Sequence, residues 1–407
     1  MAEHVNNQWN SDLLRRPLAP LGLIAMRGCE ELGEAINAWL MNWHDEETML
    51  DEDGTPLFSP LGHKRDNYLI EAECPRFGTG EAKGMLFSSV RGYDIYILSD
   101  VCAYNVTFNM YGRQINMSPD DHYQDLKRVI SAIGGRARRV NVIMPFLYEG
   151  RQHRRASRES LDCAIALREL ESMGVANIIT FDAHDPRVQN AVPLIGFDSV
   201  KPSYQILKAL FSVESDLHLD SDHMMIVSPD EGAIDRNIFY STTMGINLGM
   251  FYKQRDYTRI VEGRNPIIAH EYLGDDVDGK DIFVADDILA TGDSILDLAR
   301  ELKKRKAARI FASVTFALFT NGLDAFHRAY DEGLISRVIS TNLTYRTPEL
   351  KKAPWFVEAD MSKYISYLIA SLNHDRSLSK LLNPYERIQK AVVRYNEKQA
   401  EAGIRLV

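Results

Sequence analysis

From residue 94 onward, short apolar runs alternate with stretches of helical period. Residues 94–99 (D-I-Y-I-L-S), 140–144 (V-N-V-I-M), 177–181 (N-I-I-T-F), 224–228 (M-M-I-V-S), 247–251 (N-L-G-M-F), 282–285 and 310–318 predict strands. Between them, 121–133, 158–173, 204–211 and 294–306 predict helices. The last is the clearest, because Ile295, Leu298, Ala299 and Leu302 fall at i, i+3, i+4 and i+7 behind Asp293 or Ser294 as capping residue. Alternating strands and helices imply parallel sheets covered on both faces, and the right-handed crossover rule makes a doubly wound α/β fold the default.

A chain of 407 residues is long enough for two domains, since single cores stop growing near ~250–300 residues. The boundary is expected near Lys201 and Pro202, giving domains over 1–200 and 201–362. The tail, 363–407, is helical in pattern and is expected to pack across the domains or against a neighbour. Two stretches read as insertions forming surface loops. One is 43–71, with acidic clusters; the other is 103–119, Asn-rich with Tyr104, Phe108 and Tyr111 interspersed.

A formal charge of −10 argues against a general nucleic-acid binder. Local basic clusters remain. R-A-R-R at 136–139 reads as a solvated helix end, whereas R-Q-H-R-R at 151–155 follows a strand. Cys29, Cys74, Cys102 and Cys163 lie far apart with no C-x-x-C pair, which points away from zinc and disulfides and towards a reducing compartment. Residues 1–10 are polar, without the apolar centre of a signal peptide, and no apolar run is long enough for a membrane helix. A cytoplasmic protein without membrane partners is the expectation.

Ligands of open α/β sheets bind beyond the carboxyl ends of the strands. The residues following the apolar runs are therefore the candidates: Arg151–Arg155, then Asp182-Ala183-His184-Asp185, Pro229-Asp230-Glu231-Gly232, Lys253-Gln254-Arg255, and Asp286-Asp287. Cations and metal-type ligands alternate, which suits a polyphosphate with Mg²⁺ better than an apolar ligand. The stretch 281–294 (D-I-F-V-A-D-D-I-L-A-T-G-D-S) is the most telling. A buried strand meets two acids, then a tight loop with Thr291 and Gly292, then a helix start that offers N–H groups to a phosphate.

With these residues in order, the chain resembles the ribose-phosphate pyrophosphokinases, or phosphoribosyl pyrophosphate (PRPP) synthetases, from about Arg76 to about Leu382. R-F-G-T-G-E at 76–81 resembles the family's R-F-x-D-G-E, and S-V-R-G at 89–92 has its counterpart. R-Q-x-R at 151–154, D-x-H at 182–184, S-P-D-x-G at 228–232, K-x-R at 253–255 and D-D-I-x-x-T-G-x-S at 286–294 follow. The resemblance implies two phosphoribosyltransferase-like domains, each a mostly parallel sheet flanked by helices, in homo-oligomers built from dimers, commonly hexamers. It implies transfer of pyrophosphate from ATP to the 1-hydroxyl of ribose 5-phosphate, with Mg²⁺ as cofactor. Carried over residue by residue, Thr291, Gly292, Asp293 and Ser294 would surround the 5-phosphate, and Asp286 and Asp287 would hold the ribose hydroxyls. Arg151, Gln152, Phe77 and Glu81 would bind ATP, the last two in a neighbouring subunit. His184 and Asp230 would ligate the metal. Lys253 and Arg255, on a loop after their strand, would act with His184 in catalysis. Ser89, Arg91, Ser377 and Ser379 resemble positions near a regulatory site.

Plainer readings stand beside these: a hydrogen-bonding structural histidine, a core Phe77, and helix-capping serines. The chain also departs from the family at Ala290 and Thr79, where Asp is usual, at Asp293, where a small residue is usual, and at Leu382, where Phe is common. The alternatives are therefore a catalytically weak regulatory homologue and a phosphoribosyltransferase that consumes PRPP. The latter would need neither Arg151–Arg154 nor the first domain.

Overall fold

The computed structural model describes residues 17–42, 49–50, 56–58, 66–155, 157–255 and 267–404. They divide into two compact units. The first comprises Met1–Lys201, Asn342–Tyr345 and Met361–Leu382; the second comprises Pro202–Thr341, Arg346–Asp360 and Asn383–Val407. The C-terminal tail is thus shared between the two units and is not a body of its own.

In the first unit the elements are β1 (Leu21–Ala25), α1 (Glu30–Asn42), the short antiparallel pairs β2 (Met49–Leu50) with β3 (Pro56–Phe58) and β4 (Ala72–Glu73) with β5 (Met85–Leu86), and β6 (Asp94–Leu98). There follow the hairpin β7 (Thr107–Met110) and β8 (Arg113–Asn116), α2 (Pro119–Ile133), β9 (Arg139–Ile143), α3 (Asp162–Ser172), β10 (Asn177–Phe181), a 3₁₀ turn (Pro186–Ala191) and β11 (Gly196–Val200). The main sheet runs β1-β6-β9-β10-β11, all parallel. Strand β6 is buried along its whole length, so it reads as a continuous apolar run. Ile95 and Ile97 join the core built with Leu126, Val129 and Ile130 of α2 and Leu167 and Leu170 of α3. Helix α2 starts two residues earlier than its apolar period suggests, because Ser118 and Asp121 form a capping box around Pro119.

Two expectations change here. Residues 103–119 are not a plain surface loop, since they carry the β7–β8 hairpin. Nor is Arg139 a solvated helix end. It opens β9 and donates to both carboxylate oxygens of the fully buried Asp94, at 2.8 and 2.7 Å. Asp94 also accepts from Asn141, Tyr96 and Asn373, each at 2.9 Å. A buried carboxylate is tolerated only when its lone pairs are filled in this way.

The second unit contains α4 (Ser203–Val213), β12 (Met224–Ser228), α5 (Ile234–Met244), β13 (Leu248–Arg255), β14 (Ile267–Leu273), β15 (Asp281–Leu289), α6 (Asp293–Lys304), β16 (Ile310–Ala317), α7 (Asp324–Asp331), β17 (Arg337–Thr341), α8 (Pro348–Lys352) and β18 (Phe356–Ala359). Helices α9 (Ser362–Asn373) and α10 (Ser379–Leu382) belong to the first unit, and α11 (Tyr385–Ile404) to the second. The order β14-β13-β12-β15-β16-β17-β18 is parallel except at the β13–β14 edge. Alternation along the central strand divides the core. Ile282 and Val284 pack with Ile295, Leu298 and Leu302 of α6, whereas Phe283 and Ala285 pack with Leu207 of α4 and Ile388 of α11. Among the described residues, no helix is long and apolar enough to cross a membrane.

Candidate substrate site

Strand β15 pairs with β16 as far as Leu289↔Ala317. Asp286 and Asp287 therefore lie within the strand, not beyond its end as the apolar run suggested. The ladder continues through them because only the side chains are polar; the backbone still alternates. Asp287 is buried, and the Asp286 side chain keeps a quarter of its surface (26%). Asp286 Oδ1 accepts from the Asp287 amide at 2.9 Å and lies 3.7 Å from Arg236 Nη1. Burial, with the Asp287 charge adding to it, raises the Asp286 carboxyl to about 7, although Arg236 pulls the other way. Such a carboxyl gains from any hydroxyl donor or cation that favours its charged form.

Buried Asn237, on α5, locks this strand to its neighbour. Its Nδ2 donates to the Ala285 carbonyl at 2.8 Å and its Oδ1 accepts from the Ala285 amide at 3.1 Å. The same Nδ2 reaches the Ala233 carbonyl at 2.8 Å and Ser228 Oγ at 3.3 Å. Ser228 in turn donates to the Asp230 carbonyl at 2.8 Å. Asp230 Oδ1 accepts from the Gly232 and Ala233 amides, at 3.0 and 3.2 Å, which fixes the direction of its carboxylate. The S-P-D turn and the acidic strand are thus brought together, through an asparagine and an arginine that the sequence pattern did not single out. The available signal was a polar residue at the buried phase of an amphipathic helix.

The loop from Ala290 to Gly292 is held from behind. Thr320 donates its amide to the Ala290 carbonyl at 2.9 Å. Gly292 has φ +88°, and a Cβ there would sit 2.3 Å from Phe326 Cε2. Only glycine meets both conditions. Gly292 is itself the N-cap of α6 and no side chain caps the helix, so neither Asp293 nor Ser294 has the capping role expected. Both are exposed first-turn residues. The Asp293 amide donates to Thr291 Oγ1 at 3.4 Å, and no N-cap side chain covers the start of α6, the arrangement that suits a phosphate. Asp293 sets a carboxylate beside them.

Lys253 and Arg255 lie within β13, in antiparallel register with His270 and Ile267, and a shift in register falls between Gln254 and Arg255. They are strand residues, not loop residues; the pairing with β14 carries the strand past 251.

In the first unit, Arg151 is exposed, and Gln152 Nε2 donates to the Ser160 carbonyl at 2.8 Å. Residues 158–161 precede α3 instead of forming its first turn. Asp182, the residue after β10, has φ +45°, and His184 beyond it is exposed. The R-Q-H-R and D-A-H segments do come together. The rings of His153 and His184 are 5.3 Å apart, and His153 Nε2 is 3.5 Å from Asp185 Oδ2. Hydrogen bonds from Arg187 hold the Asp185 carboxyl down at about 2.

Phe77 is 56% exposed, which removes the core reading. It sits in a tight turn closed by its amide on the Glu81 carbonyl at 2.7 Å. The neighbouring Arg76 donates to Asp125 at 2.5 Å and covers the Phe108 ring of the hairpin at 4.8 Å. Thr79 donates to the Glu81 carboxylate at 3.1 Å. Ser377 Oγ accepts from the Ser379 amide at 3.3 Å at the start of α10, while Ser89 and Arg91 are exposed.

A mostly parallel sheet whose central strand carries paired acids near its C-terminal end, a glycine-pinned loop and a helix capped by no side chain together define a phosphoribosyltransferase-type unit. Residues 197–341 match the model of the phosphoribosyl transferase domain, and residues 21–174 match that of the N-terminal domain of ribose phosphate pyrophosphokinase. The chain belongs to the ribose-phosphate pyrophosphokinase family. It is 26% identical over 320 residues to the ribose-phosphate pyrophosphokinase of Vibrio parahaemolyticus, covering 77% of this chain and 92% of that protein. It is 29% identical to that of Ureaplasma parvum over 204 residues, 50% of this chain and 58% of the relative. The crystal structure of phosphoribosylpyrophosphate synthetase from Mycobacterium smegmatis superposes with a TM-score of 0.65 at 19% identity, covering 87% of this chain and 99% of that one. The fold is shared: α/β, with phosphoribosyltransferase-like domains.

Proposed function

We propose that the protein is a ribose-phosphate diphosphokinase, moving the β,γ-pyrophosphoryl group of ATP to the 1-hydroxyl of ribose 5-phosphate and releasing PRPP and AMP. The observation that carries this reading is the loop at the end of β15. A helix start without a side-chain cap stands next to two strand carboxylates, one of them raised to about 7. That combination accepts a sugar phosphate at both ends. The first-turn amides, Thr291 and Ser294 take the 5-phosphate, and Asp286 and Asp287 accept from the ribose hydroxyls.

Arg151 and Gln152 bind the ATP phosphates, where an arginine fork suits phosphate oxygens. Phe77, exposed and rigidly turned, stacks on adenine with Glu81 beside it, in a neighbouring subunit of a dimer-built homo-oligomer. The Asp230 carboxylate, its direction fixed by two amides, fits an oxygen-preferring cation, with His184 as a further donor. Mg²⁺, when bound, neutralises triphosphate charge. Lys253 and Arg255 stabilise the charge that develops on the transferring group; phosphoryl-type transfer depends on such positioning more than on covalent chemistry.

The test is to incubate the pure protein with ATP, ribose 5-phosphate and Mg²⁺ and to measure AMP and PRPP. Equal formation of both, abolished in Lys253→Ala, is the expected result. Absence of turnover with every nucleoside triphosphate overturns it. In that case the second reading holds, a regulatory homologue that binds nucleotide. Asp293 beside the phosphate position and Thr79 in the adenine turn favour that reading.

A further inference from the structure

At the opposite end of the second unit's sheet, the turn from α4 into β12 gathers His218, Asp220 and His223. One ligand atom from each lies within 4.8 Å of the others, and all three side chains are exposed. We propose that this turn is a binding site for a d-block divalent cation such as Zn²⁺, distinct from the substrate site.

Two imidazoles and one carboxylate are the donor set such ions prefer, and Mg²⁺ does not compete well for imidazole nitrogen. The geometry is fixed by the backbone. Asp220 Oδ1 accepts from the Asp222 and His223 amides at 2.9 and 3.0 Å, and the Met224 amide donates to the Asp220 carbonyl at 2.9 Å. The His223 carbonyl accepts from the Asp281 amide at 2.8 Å, tying the turn to the first residue of β15. His223 Nδ1 lies 2.8 Å from Asp220 Oδ1. An ion would replace this contact, taking the His223 ring nitrogen and the Asp220 carboxylate as adjacent ligands. The His218 ring lies 4.8 Å from that of His223, centroid to centroid. A surface that needed only an Asx turn would require neither histidine. Asp286 and Asp287 lie at the far end of β15, so an ion here takes no part in the proposed transfer. It would instead clamp the loop between α4 and β12.

The experiment titrates Zn²⁺ into the full chain, stripped of metal beforehand, in excess Mg²⁺ to occupy the oxygen-rich substrate site, with calorimetric readout. Wild type is expected to bind one more equivalent of Zn²⁺ than His218→Gln, and His223→Gln is expected to weaken that equivalent at least tenfold. Both variants alter exposed side chains, and circular dichroism checks that they fold. Co²⁺ supplies an independent readout: the intense visible bands of a low-coordinate nitrogen–oxygen site in wild type, lost in His218→Gln. Equal Zn²⁺ stoichiometry and affinity in wild type and both variants overturns the proposal. So does a Co²⁺ spectrum that is unchanged by His218→Gln.

Discussion

Gly292→Ala tests whether the loop after β15 is held in place by close packing. Two penalties add. At φ +88° an alanine carries left-handed strain of about 1–2 kcal/mol. Its Cβ would also stand 2.3 and 2.5 Å from Phe326 Cε2 and Cζ. Phe326 cannot swing away, because its ring is buried among Phe319 and Trp355, at centroid distances of 5.0 and 5.5 Å. Overpacking of this kind costs about 1–3 kcal/mol. The sum, roughly 2–5 kcal/mol, is a large share of the 5–15 kcal/mol that holds an ordinary domain together. The loop can escape part of it by moving, and movement displaces Thr291 and the first-turn amides of α6. Urea unfolding and calorimetric binding of ribose 5-phosphate read the two outcomes, a lower midpoint for the second unit or a lost affinity. Adding Phe326→Leu makes room for the Cβ while leaving the strain in φ. The double variant should therefore recover the clash part, about 1–3 kcal/mol relative to additivity. Wild-type midpoint and affinity in Gly292→Ala, or strict additivity in the pair, would refute the reasoning.

Asn237→Ala leaves the Ala285 amide and carbonyl without their partner. It is expected to destabilise the second unit by about 3 kcal/mol in urea unfolding, while also loosening the Asp230 turn. Asp286 is raised to about 7 in the fold against about 4 in an unfolded chain, so it favours folding fully below about pH 4 and loses that contribution as pH rises through 7. Asp286→Asn should consequently raise the unfolding free energy from urea titration at pH 8 by on the order of 1–2 kcal/mol and change it little at pH 4. Asp293→Asn removes a charge beside the α6 amides. A gain of about 1 kcal/mol in phosphate binding, roughly fivefold in KM for ribose 5-phosphate, is expected from steady-state assays.

The parts of this molecule that are legible in the sequence are those fixed by a local period. Strands over 177–181 and 224–228 fall where the apolar runs put them, because a strand buried on both faces must be apolar throughout. For the same reason the apolar run of β15 stops at Ala285 while the strand runs on to Leu289. Once Asp286 and Asp287 enter, apolarity no longer reports the backbone, although the ladder with β16 continues. Arg139 and Asp94 were illegible for the opposite reason. Arg139 looks like surface charge and Asp94 like the polar first residue of a strand, and only their pairing across two neighbouring strands makes burial tolerable.

The candidate site divides along the same line. The candidate ligand-facing residues stand in the last residues of strands and in short loops, where chain order alone brings them forward. Residues that aim them come from elsewhere: Asn237 from a helix face, Thr320 from the loop after β16, Phe326 from the following helix. No spacing rule links Gly292 to Phe326. What the sequence does show is that position 292 is glycine; why no other residue fits emerges only when the ring behind it is in place. The departures at Ala290 and Asp293 gain meaning in this frame. Asp293 is exposed in the first turn of α6, whereas Ala290 gives its carbonyl to the Thr320 amide behind the loop, beside a positive-φ glycine packed on a buried ring. The strained turn is thus fixed from behind whatever side chains stand at 290 and 293, so changes there alter the charge in front of the loop before they alter its shape.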